Sequence, residues 1–145
     1  MRAAQLRLRL SLAAFAASLI GTAPVAAQPV PACGAGLASA QRTESARHVI
    51  VWRADPQRIP VGRHFALDLI ACPKPGASAI DGLGVDARMP AHGHGMNYKP
   101  SVKALGENRY RAEGLMFHMP GQWELAFELR SGEQNERALQ ALTVR

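Results

Sequence analysis

The chain has 145 residues, 48% of them hydrophobic and 19% charged, which suffices for one hydrophobic core and is short for two ordinary domains. The formal charge of +6 falls to +3 once Arg2, Arg7 and Arg9 are set aside. The remaining basic residues are interspersed with acidic ones, so no patch gathers to neutralise phosphates, and a nucleic-acid partner is not expected.

Residues 1–27 have the layout of a secretory signal peptide. The three arginines form a positive leading region, and Leu10 to Ile20 form an apolar stretch too short to span a bilayer. Gly21 and Pro24 then break any helix ahead of the small residues Val25-Ala26-Ala27. Cleavage after Ala27 leaves 118 residues in the periplasm or outside the cell, with no later segment apolar and long enough to cross a membrane. The exported domain is expected to be soluble.

Residues 28–45 are rich in Ala, Gly, Pro, Ser and Gln without a clear period and read as an irregular leader. Cys33 lies in it, and the second cysteine, Cys72, lies in the body of the chain. In an oxidising compartment the simplest state of two cysteines is one disulfide, worth about 4 kcal/mol for a loop of this length in the chain-entropy model. Val30-Pro31-Ala32-Cys33 also resembles a lipoprotein cleavage site, but Pro31 fits poorly there and lipidation of Cys33 would leave Cys72 alone.

From residue 46 the sequence breaks into short runs of strand character. His48–Trp52 comes first; after turn signals at Asp55-Pro56 and Ile59–Gly62, residues 64–70 alternate through Phe65, Leu67 and Leu69. Val85–Met89, Val102–Leu105, Arg109–Ala112 and Leu115–His118 follow. Trp123–Leu129 alternates apolar and polar, and Leu139–Val144 closes the chain. Seven or eight short strands at even spacing, with no capped amphipathic helix, predict an all-β domain over residues 46–145. The expected architecture is an immunoglobulin-like antiparallel β-sandwich.

Chemistry concentrates between Met89 and Met119. Met89-Pro90-Ala91-His92-Gly93-His94-Gly95-Met96 opens the region and Met116-Phe117-His118-Met119-Pro120-Gly121-Gln122-Trp123 closes it, holding four methionines and three histidines. Thioether sulfur suits Cu(I), and imidazole suits copper and zinc. Were residues 92–96 extended, His92, His94 and Met96 would share one face, and a facing strand with Met116 and His118 could complete the sphere. Met119 would then face away from His118. Against this, methionine commonly fills gaps in cores, and a Gly-His-Gly stretch can be a plain exposed loop. His48 and His64 read as structural or surface residues.

The two motifs together resemble the YtkA-like domain family of exported bacterial proteins, over about residues 46–144. The family's pattern falls here on Met89, Pro90, His94, Gly95, Met96, Met119, Pro120, Gly121 and Trp123. The resemblance implies a compact sandwich, an envelope location and, for some members, copper handling. His92 and His118 go beyond the family's pattern.

Three functions compete. The first is a non-catalytic copper protein that holds or delivers Cu(I) through His92, His94, Met96 and His118, with Met89, Met116 and Met119 as auxiliary ligands. The second is a metal-free domain docking another envelope protein through the Met89–Tyr98 loop, aided by Lys99 and Lys103. The third is a three-histidine zinc enzyme, for which Glu113 and Glu124 are the nearest acids in sequence to act as general base.

Overall fold

A computed structural model describes residues 32–145. The expected signal peptide and cleavage site, residues 1–27, fall outside the described residues. Nine strands are present among them: β1 (Gln41–Glu44), β2 (His48–Asp55), β3 (Phe65–Pro73), β4 (Gly82–Met89), β5 (His94–Gly95), β6 (Ser101–Gly106), β7 (Arg109–Leu115), β8 (Gly121–Ser131) and β9 (Gln134–Val144). They form a five-stranded sheet in the order β1-β2-β3-β7-β6 and a four-stranded sheet in the order β5-β4-β8-β9, with every pairing antiparallel.

Strands β2, β3, β7 and β6 occupy the places of A, B, E and D in an immunoglobulin sandwich, and β4, β8 and β9 those of C, F and G. The alternation of β8 explains the packing. Trp123, Leu125, Phe127 and Leu129 turn inward with Val85, Ala87 and Met89 of β4, and meet Ile50, Trp52, Leu67 and Leu69 of the other sheet. Each large side chain so buried contributes about 1.5–3 kcal/mol.

Strand β2 is buried on both faces, because Val49 and Val51 on its outer side are covered as well. The cover comes from the leader. Cys33 is bonded to Cys72 of β3, the cross-strand neighbour of Val49, and Gly34 sits directly over Val51. A Cβ on Gly34 would lie 2.6 Å from a Val51 methyl, and its φ of +87° belongs to glycine.

Four expectations are corrected. The leader is not irregular throughout, since Gln41–Glu44 forms β1 against β2. Strand β9 begins at Gln134, five residues before the apolar run starts, because a two-residue Gly132-Glu133 turn folds it directly back on β8. Leu115–His118 is not a separate strand: Leu115 ends β7, the chain then leaves one sheet to join the other, and beyond it Phe117 keeps a bridge to Val61. Residues 92–96 are not extended, because a turn at 90–93 reverses the chain so that His94–Gly95 can pair with Arg88–Met89.

Where the two sheets meet along β1 and β9, several polar groups bond one another, while His48 Nδ1 and Glu136 Oε1 are buried without a hydrogen-bond partner. The Trp52 indole donates to Thr43 Oγ1, which donates to Gln140. His48, only 1% exposed, is a structural residue of this seam: its Nε2 is 2.9 Å from Ser78 O, and its Nδ1 is 3.6 Å from Glu136.

Candidate metal centre

At one end of the sandwich the β4–β5 turn and the crossing from β7 to β8 come together over Trp123. His94 is the cross-strand partner of Met89, whose side chain points into the core, so His94 projects over that same inner face. The bonds beside it are regular, with Met96 N donating to Ala87 O at 3.1 Å. His118 arrives from the other side and is pinned by its neighbours. Gly62 N donates to Phe117 O at 2.7 Å, and Trp123 Nε1 donates to Met119 O at 3.1 Å.

The imidazoles follow one another across the rim. The ring centroids of His92 and His94 are 5.6 Å apart, and those of His94 and His118 are 5.1 Å apart. Two imidazoles binding one ion at about 2 Å place their centroids about 5–6 Å apart, so each pair taken alone has a spacing that suits a shared ion. Beneath them lies the Trp123 indole, 5.4 Å from His118 and 6.2 Å from His94, edge to face with each. Phe117 stacks on the far side of the indole at 4.6 Å and closes the floor. His118 Nδ1 is buried without a hydrogen-bond partner. A buried ring nitrogen is normally satisfied, so an unpartnered one has a lone pair or a proton to offer.

The methionines divide. Met89 is 2% exposed and belongs to the core, with its methyl 2.7 Å from where a Cβ on Gly121 would stand. Its side chain is packed among the core residues. Met96 and Met119 are half-buried and pack against the core from the rim, and Met116 is half-buried between core residues Leu115 and Phe117. Among the described residues no three His, Cys, Asp or Glu side chains group closely enough to hold an ion by themselves. The half-buried thioethers of Met96 and Met119 are the further soft donors on the same segments as His94 and His118. The cysteines, joined as a disulfide, supply no thiolate.

Both acids nearest the motif in sequence are engaged elsewhere. Glu124 alternates with inward Trp123 and binds Arg88 at 2.7 Å. Glu113 holds Lys103 at 3.1 Å and Arg111 at 3.2 Å, and those hydrogen bonds keep its carboxyl below the usual range. His64 is the residue that the sequence did not connect with this region. It stacks edge-on with Tyr98 at 5.0 Å, so it braces the loop that follows Met96. Only the three-dimensional path of the β2–β3 connection, alongside Phe117, brings it there.

A depression of about 330 Å³ lined by Met89, Pro90, Gly93, His94 and Gly95 opens beside the cluster. A second cavity, about 550 Å³ over Gly82, Gly84, Glu128 and Arg130, is lined by none of the histidines and is flanked by the Arg130–Asp81 ion pair. No family model, curated protein or solved structure matches the chain.

Proposed function

We propose that this chain is an exported, non-catalytic copper-binding protein of the cell envelope, similar to the YtkA-like domains, which holds Cu(I) at the Trp123 end of its sandwich. His94 and His118 are the principal ligands, His92 a third, and Met96 or Met119 supplies the sulfur. The observation that carries this reading is the approach of His94 and His118 over Trp123 from two different segments, with His118 Nδ1 buried and unpartnered. Mixed imidazole and thioether donors favour Cu(I) over Zn(II). The signal-peptide layout and the disulfide agree with an oxidising compartment outside the cytoplasm.

A metal-free docking role is the second reading, favoured by Tyr98, which is 45% exposed on the same loop. Histidine NMR during titration with Cu(I) under reducing, anaerobic conditions separates the two. The copper reading expects the ring resonances of His94, His118 and His92 to move together while buried His48 stays still. Unmoved rings at all three would leave the docking role.

A further inference from the structure

The three imidazoles differ in how they are held. His94 lies within a paired strand, and His118 lies between two residues whose carbonyls each accept a short hydrogen bond. His92 is exposed at the tip of the turn at 90–93. Its backbone is tied by one hydrogen bond, His92 N to Met89 O at 3.1 Å, shared with Gly93 N at 3.0 Å. Gly93 beside it has φ of +69° and nothing within 4 Å of where its Cβ would be, so the tip of the turn stands clear of the sheet. The series runs from an exposed imidazole at 92 to half-buried ones at 94 and 118, each within reach of the next.

We infer that His92 is the exchangeable ligand of the centre: the ion is held by His94, His118 and a thioether, and it leaves when a ligand of an acceptor protein takes the place of His92. This rests on the copper reading and assigns the site a delivery role. The acceptor is a protein presenting a thiolate, thioether or imidazole at its own surface, since only a soft donor competes for Cu(I). In the exchange a bond from the acceptor's donor atom to Cu(I) forms and the bond from His92 nitrogen breaks. The copper stays Cu(I), and no electron moves. A displaceable ligand on a turn gives the acceptor a route to the ion that avoids unfolding the anchored strand and crossing.

The test measures equilibrium and rate separately, on protein purified after export and loaded with Cu(I), using a chromogenic Cu(I) chelator as acceptor. Removing a ligand that yields first should weaken binding modestly and speed release. His92→Ala is expected to weaken binding about 3–10-fold and accelerate transfer by a similar factor, and His94→Ala and His118→Ala to weaken it more than 100-fold. The inference is overturned if His92→Ala weakens binding as severely as the other two, which would make all three equal ligands, or if it leaves the transfer rate unchanged, which would make His92 a bystander. Failure of the unaltered protein to compete for Cu(I) at all would overturn the copper reading and this inference with it.

Discussion

His118 stands edge-on to Trp123, with ring centroids 5.4 Å apart and planes at 89°, and the same indole donates its N–H to the carbonyl of Met119. One buried side chain thus forms the floor under an imidazole and fixes the segment that carries it. An ion held by His118 would lie close to an indole, whose emission responds to charge and to ligand binding nearby.

Cu(I) loading is therefore expected to quench Trp123 fluorescence, whereas Trp52, whose indole N–H is bonded to Thr43, contributes the background. A titration of Trp123→Phe should show the background alone. The same substitution removes the hydrogen bond to Met119 O and costs about 1 kcal/mol in chemical denaturation. An unchanged quench in Trp123→Phe would show that the ion sits elsewhere.

Met89 and Gly121 separate packing from ligation. Gly121 has φ of +134°, and a Cβ there would meet the Met89 methyl at 2.7 Å, so Gly121→Ala should destabilise by about 1–3 kcal/mol. Met89→Leu nearly conserves volume and should cost less than about 1.5 kcal/mol. It should also leave Cu(I) affinity unchanged; a large loss of affinity would return Met89 to the ligand set.

Acid should loosen the seam between β1 and β9. Burial raises the tendency of Glu136 to take up a proton. The polar surroundings of Ser45, the hydrogen bond from the Arg47 N–H at 3.0 Å and the nearby His48 outweigh this and hold its carboxyl below the usual value of 4.5. A carboxyl depressed in the folded state stabilises the fold above that value, and the benefit is lost as pH falls through the depressed one. Glu136→Gln should lower Tm at pH 7 by about 5 °C, the shift that ~1 kcal/mol brings in a domain of this size. The gap between the two proteins should narrow as pH falls below 4.5. A gap constant with pH would mean that the charge on Glu136 is not what stabilises the seam.

The disulfide closes a span of 39 residues and holds the leader over Val49 and Val51. Cys33→Ser with Cys72→Ser should cost about 4 kcal/mol in the chain-entropy model and expose the outer face of β2 to solvent. Equal denaturant midpoints with and without reductant would contradict that role.

The sequence made the sandwich legible where one face is buried and the other wet. Residues 123–129 alternate because β8 has a core on one side only, and that period survives in the residues themselves. It was silent about β1, whose Gln41-Arg42-Thr43-Glu44 is polar at an edge and held by Thr43 and the β2 ladder. The histidines and methionines were visible as a composition, but their sorting was not. Met89 goes to the core, His92 to a turn tip and His118 to a pinned crossing because of where the strands end, which no spacing rule encodes. The bracing of Tyr98 by His64 depends on a contact 34 residues apart in the chain.

The most direct test of the proposed copper centre is anaerobic competition for Cu(I) between a chromogenic chelator and residues 28–145 of the protein, beside His94→Ala and His118→Ala variants checked for native Tm. The account predicts one tightly held Cu(I) per chain, lost from both variants and not displaced by Zn(II). Copper retained by both folded variants, or no competition by the unaltered protein, would contradict a centre built on these two histidines.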